Sequence, residues 1–209
     1  MDFEKLKVKV AHEVTALLTI DMQRDYCCAG GILDKMGFDI GAAQLLAPRL
    51  NSFVNRTRNI LKHIIHIRME LNPHLRSPAL AEHYERCGLQ RKIDPAYSEF
   101  YGVTPAQGDI VIPKYRYSAF VSTYLDQCLR SNGIKTLVLT GLATNVCVES
   151  TARDGFMRDY HIVVPEDMTE GTSPEAKKWA LFNISTFFGE VVDSKHLLRC
   201  WEGQGKDRR

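Results

Sequence analysis

Short continuous apolar runs alternate along the chain with longer stretches whose apolar residues recur at helical spacing. Thr15–Ile20 (TALLTI), His63–Met69 (HIIHIRM), 109–113 (DIVIP), 137–139 (LVL), 161–164 (HIVV) and Glu190–Val192 predict strands. Helices are expected over 41–61, where only Pro48 interrupts the period, over about 120–131, from Val146 to about Asp159, and over 174–186. Runs of this kind suit strands buried on both faces, and their alternation with helices predicts a parallel sheet covered on both sides. The expected fold is one three-layer α/β domain spanning residues 1–209, with a polar lead-in over 1–13. Residues 70–108, with Pro73, Pro78, Pro95 and Pro105, show no clear period. A connection of that length is expected to act as a lid or binding loop.

Composition narrows the function. The 209 residues carry a net charge of +2, too near neutral for an electrostatic nucleic-acid binder. No apolar run approaches the ~20 residues of a membrane span, and the amino terminus has no apolar signal core. The six cysteines form no CxxC pairs and no disulfide framework, which points to a reduced, cytoplasmic location.

Ligands of parallel α/β sheets sit at the carboxyl ends of the strands. There the first strand ends at Asp21, the third runs into Lys114, and the fourth leads through Gly141 to Cys147. Each has an ordinary structural reading: a turn cap, a solvated charge and a small core residue. Together they make a nucleophile, a base and a cation. Asp21 can take the thiol proton and return it to a leaving amine. Lys114 stabilises carboxylate and thiolate, and the helix start at Cys147 adds its dipole, so a lowered cysteine pKa is expected. Gln23, two residues beyond Asp21, faces the same site on an extended backbone. No GxGxxG, GxxxxGK[ST] or GxSxG occurs, which argues against dinucleotide, P-loop and serine-elbow chemistry.

LLTIDMQRDYC, VIPKYRYSAF and GLATNVCVESTARDGF, in that order, resemble the isochorismatase-like cysteine hydrolases over roughly residues 14–195. The resemblance implies a six-stranded parallel sheet in a Rossmann-like three-layer αβα fold and an Asp–Lys–Cys triad on Asp21, Lys114 and Cys147. It also implies a cis peptide at Leu142–Ala143, with an oxyanion hole from the Ala143 and Cys147 N–H groups. It further implies a small-molecule substrate, no cofactor and a homo-oligomer, dimer or tetramer.

Within the family the motifs look most like those of ureidoacrylate amidohydrolases and related carbamoyl-amide hydrolases. KYRYSAF resembles a pattern whose tyrosine, here Tyr117, contacts substrate, and Asn72 is the polar contact expected from the 70–108 segment. The region 68–74 (RMELNPH) lacks the Asp-x-His pattern of metal-binding nicotinamidases. His63 and His66 fall on opposite faces of a strand and cannot readily share an ion, and no catalytic metal is expected. His74 and His83 are possible pocket residues, and Arg24, Arg68 and Arg116 possible carboxylate anchors. The expected activity is cysteine-dependent hydrolysis of an amide or ureido C–N bond through a thioester. The alternatives are nicotinamidase- or isochorismatase-type hydrolysis, a silent interaction subunit, and a thiol sensor using Cys27 and Cys28.

Overall fold

The computed structural model describes residues 3–75, 77–89 and 95–204. Strands β1 (Thr15–Ile20), β2 (His63–Met69), β3 (Ile110–Lys114), β4 (Thr136–Leu142), β5 (His161–Pro165) and β7 (Glu190–Val192) form a parallel sheet in the order β3-β2-β1-β4-β5-β7. A two-residue strand, β6 (Thr169–Glu170), adds to the carboxyl end of β4. The chain winds outward from β1 through β2 to β3, then resumes beside β1 with β4. The direction of winding therefore reverses between β1 and β4, which is where such sheets open a crevice for a ligand.

Every residue of β1 and β4 is buried, because helices cover both faces. Leu17, Val138 and Val163 face a layer built from Leu46, Leu50, Phe53 and Val54 of helix Gly41–Arg58 and Leu197 and Trp201 of helix Ser194–Gln204. Leu18, Ile20, Leu137 and Leu139 face Leu125, Leu129, Val148 and Ala152 on the other side. Two buried threonines of the central strands are satisfied by neighbouring strands: Thr140 Oγ1 donates to Leu18 O at 2.9 Å, and Thr19 pairs with His66 Nδ1 at 2.8 Å. Helix Gly41–Arg58 runs unbroken through Pro48, which lies on its exposed side, where water can meet the carbonyl that the missing N–H leaves free.

Several boundaries differ from the sequence expectation. The helix expected from about residue 120 begins only at Leu125, because Thr123 Oγ1 bonds Ala119 O at 2.6 Å and accepts from Leu125 N–H at 3.2 Å, holding a turn. The helix expected from Val146 starts as a π-helical turn, Thr144–Val148, before α-helix Glu149–Phe156. The helix expected over 174–186 is α-helical only through Asn183. The lead-in contains helix Phe3–Lys9.

Residues 70–108 hold three short helices among those described, Pro73–Leu75, Pro78–Arg86 and Pro95–Ser98. All three start on prolines, since a first-turn proline loses no helical hydrogen bond. Residues 90–94 of that segment lie outside the described residues. Among the described residues no helix is long and apolar enough to cross a membrane.

Candidate active site

The close approach of β1 and β4 builds the floor of the site. Gly141 has φ +100°, and a Cβ there would stand 2.1 Å from Ile20 O, so only glycine lets β4 run this near the end of β1. Asp21 follows Ile20 with φ 53°, a left-handed conformation uncommon for a non-glycine residue and found preferentially at functional sites. Its N–H bonds Ile67 O at 2.9 Å, tying the bend to β2. Beyond β4 the Leu142–Ala143 peptide is cis, and the π-helical turn then presents Cys147.

Lys114, at the end of β3, is wholly buried and reaches across to both. Its Nζ lies 2.8 Å from Asp21 Oδ2 and 3.2 Å from Cys147 Sγ, and it donates to the carbonyls of Arg116 and Tyr117 at 3.1 and 3.2 Å. The three acceptors in hydrogen-bond geometry are the two carbonyls and the sulfur. Asp21 is held chiefly by its ion pair with the Lys114 ammonium, and it also stands beside the Cys147 thiol.

The electrostatics depart from the sequence expectation at one point. Burial pushes the Cys147 thiol up to about 12; Lys114 pulls it down and Asp21 pushes it up. The expected net lowering is therefore reversed, because desolvation in a closed site outweighs one neighbouring ammonium. Burial also works against the charge on Lys114, but Asp21 and Cys147 beside it leave its pKa raised. Burial thus favours the neutral thiol of Cys147, while Asp21 and Cys147 favour the charged form of Lys114.

A cavity of about 170 Å³ opens onto this cluster, lined by Asp21, Ala143 and Cys147 at one end. Tyr117 and His83 also line it, as the sequence suggested. Three further expectations are corrected. Gln23 is buried behind the site, its amide accepting from Met69 N–H at 2.8 Å and donating to Met69 O at 3.1 Å and Ser98 O at 3.0 Å; it braces the Asp21 bend against β2 and does not line the cavity. Asn72 caps the turn at His74, accepting from its N–H at 2.9 Å, and lies off the cavity with His74. Arg116 bonds Leu75 O and Tyr115 O, Arg68 pairs with Glu70, and Arg24 is exposed, so none of the three lines it either.

Sequence reading missed the apolar wall from Ile32, Leu33, Met36 and Phe38, although their near-helical spacing directly after the first motif was a usable signal. It also missed Asn145 and Thr172, which bond each other reciprocally at 2.9 and 3.0 Å across the rim. Residues 27 positions apart carry no local signal, and the short β6 that brings them together is too brief to be read from a pattern.

His66 is spent on Thr19 and on Asp109, 2.9 Å away, while His63 faces away from it. Among the described residues no group of three or more His, Cys, Asp or Glu is arranged to hold a metal ion.

A parallel sheet covered by helices on both faces, with a buried acid, lysine and thiol at its switch point, defines a three-layer α/β protein. The isochorismatase domain model matches residues 15–196, and the chain belongs to that family. It is 42% identical to the ureidoacrylate amidohydrolase RutB of Klebsiella pneumoniae over 88% of this chain and 85% of that protein, and 40% identical to that of Pantoea ananatis over 88% and 80%. Among solved structures, a cysteine hydrolase from Pseudomonas syringae superposes with a TM-score of 0.81 at 22% identity over 93% of this chain and 95% of that one. N-carbamoylsarcosine amidase from Thermoplasma acidophilum does so with a TM-score of 0.65 at 28% identity, over 86% and 96%.

Proposed function

We propose that this chain is an amidohydrolase that cleaves the C–N bond of a small ureido compound of the ureidoacrylate type, with Cys147 as nucleophile. The observation that carries the reading is Lys114 Nζ standing 2.8 Å from Asp21 Oδ2 and 3.2 Å from Cys147 Sγ, with Asp21 and Cys147 lining one cavity. The names of the relatives, ureidoacrylate amidohydrolase and N-carbamoylsarcosine amidase, support a carbonyl flanked by nitrogen as the reacting group.

With the thiol held protonated at rest, proton transfer accompanies attack. Asp21 takes the proton as sulfur bonds to the carbonyl carbon, and the Lys114 ammonium stabilises the sulfur's developing charge. The C=O π pair moves onto oxygen, where the Ala143 and Cys147 N–H groups receive it. When that pair returns, the C–N bond breaks, Asp21 protonates the leaving ammonia or amine, and a carbamoyl or acyl thioester remains. A water then gives its proton to Asp21 and attacks the thioester carbonyl. The sulfur leaves and recovers the proton. Lys114 stays charged throughout.

The test is ammonia release over ureidoacrylate, biuret, N-carbamoyl amino acids, nicotinamide and simple amides. Ureidoacrylate or a close ureido relative is expected to be turned over fastest, Cys147→Ser is expected to be inactive yet folded by circular dichroism, and stopped reactions are expected to show a mass adduct on Cys147. Hydrolysis retained in Cys147→Ser would overturn the mechanism. A preference for nicotinamide would overturn the substrate class.

A further inference from the structure

The helix that carries the nucleophile also grips the loop behind the lysine. Positions 147, 151, 154 and 158 follow the spacing i, i+4, i+7, i+11 and so fall along one stripe, turned toward residues 117–120. Thr151 Oγ1 donates to Cys147 O at 2.7 Å and accepts from Ala119 N–H at 3.1 Å. Asp154 Oδ2 accepts from Ser118 Oγ at 2.8 Å, and Ser118 Oγ accepts from Phe120 N–H at 3.1 Å. The other Asp154 oxygen accepts from Arg158 Nε at 2.8 Å, and that guanidinium lies 5.1 Å from the centre of the Phe120 ring. The segment so held begins at the Arg116 and Tyr117 carbonyls that take two of the Lys114 ammonium hydrogens.

We propose that Asp154 is a positioning residue for Lys114: through Ser118 it fixes the Arg116 and Tyr117 carbonyls, which aim the third ammonium hydrogen at Cys147 sulfur. The inference rests on the roles given above to Lys114 and Cys147. Its physical basis is a count of donors. The ammonium has three hydrogens and four near neighbours, of which Asp21 Oδ2 is the closest at 2.8 Å, so the carboxylate and the Cys147 sulfur compete for what the two loop carbonyls leave. Two carbonyls on a fixed loop hold two of the hydrogens and so limit how far the ammonium turns from the sulfur toward Asp21. If the loop slackens, the ammonium turns to the carboxylate, the sulfur loses its donor, and Asp21 becomes a poorer base for the thiol.

The test compares Asp154→Asn, Ser118→Ala, Ser118→Thr and Lys114→Met with the parent, reading the pH profile of Cys147 alkylation by iodoacetamide, ureidoacrylate kinetics and Tm. Asp154→Asn and Ser118→Ala are expected to move the alkylation profile to higher pH and to lower kcat about tenfold with KM unchanged, the effect of one misplaced hydrogen bond. Ser118→Thr, which keeps the hydroxyl, is expected to restore both, and Lys114→Met to shift the profile furthest. Should Asp154→Asn fail to fold, the Ser118 pair carries the comparison. A lower Tm in Asp154→Asn and Ser118→Ala, with the alkylation profile and kcat in place, would leave Asp154 a purely structural residue and overturn the proposal. A profile unmoved by Lys114→Met would overturn the role of the lysine itself, and the positioning role with it.

Discussion

Lys114→Met isolates the energetic weight of the buried ion pair. The Lys114 and Asp21 side chains are 0% and 1% exposed and 2.8 Å apart. At an effective dielectric of about 20 their attraction is about 6 kcal/mol, opposed by the cost of taking both charges out of water. Methionine keeps most of the apolar stem and removes the charge. Asp21 then loses its attraction but keeps its own desolvation cost, which destabilises the fold by about 3–5 kcal/mol. For a chain of this size that is a fall in Tm of about 6–20 °C. Adding Asp21→Asn removes the stranded carboxylate, so the double variant is expected to be more stable than Lys114→Met alone by about 2 kcal/mol or more. Urea unfolding of the parent, both single variants and the double variant closes the cycle, and all three variants are expected to lack turnover. Parental stability in Lys114→Met, or additive losses in the double variant, would refute a pair that is both buried and strongly coupled.

Two further outcomes concern the frame around the site. Burial lowers the pKa of His66 against the opposing hydrogen bond and charge of Asp109, with Arg58 nearby adding to the lowering. The unfolded chain therefore takes up this proton first as pH falls through about 6.5, so the stabilisation is complete above that pH and is lost below it, no more steeply than about 1.4 kcal/mol per pH unit. Urea midpoints between pH 5 and 7.5 should fall with acidification, and His66→Gln should flatten that dependence; an equal slope in the variant would refute it. Gly141→Ala places a methyl carbon 2.1 Å from Ile20 O at a φ of +100°, and is expected to cost about 3 kcal/mol or more in thermal unfolding, with loss of activity. A variant within 1 °C of the parent Tm would show that β1 and β4 can separate freely.

What the sequence revealed follows from how local each signal is. The central strands were legible because a strand buried on both faces must be a continuous apolar run, as TALLTI and LVL are, although β4 runs on through Gly141 to Leu142 where the glycine was expected to end it. Asp21, Lys114 and Cys147 were legible because the strand-end rule needs only strand order to bring them to one edge. Gln23 shows the limit of the same reasoning. Its placement near the site was right, but an amide offers both donors and an acceptor, and the ends of β2 and the Pro95–Ser98 helix satisfied them first. The direction of the Cys147 pKa was misjudged for a related reason: charge partners can be read from a motif, whereas the depth of burial that outweighs them is a property of the whole packed chain.

The same contrast separates chemistry from selectivity here. Asp21, Lys114 and Cys147 stand on the ends of β1 and β3 and on the turn after β4, where all three side chains are buried and rearrangement is costly. The cavity walls come instead from the segment 26–38 after β1, from His83 and Tyr84 on the Pro78–Arg86 helix, and from the Asn145–Thr172 pair at the rim. Of that helix only Tyr84 is buried, so its remaining positions can change without disturbing the core. A scaffold divided in this way can keep one acid–lysine–thiol cluster and alter which carbonyl reaches it. The residues that tune the substrate then belong to the walls, and substitutions there should move KM and substrate preference while the alkylation chemistry of Cys147 stays constant.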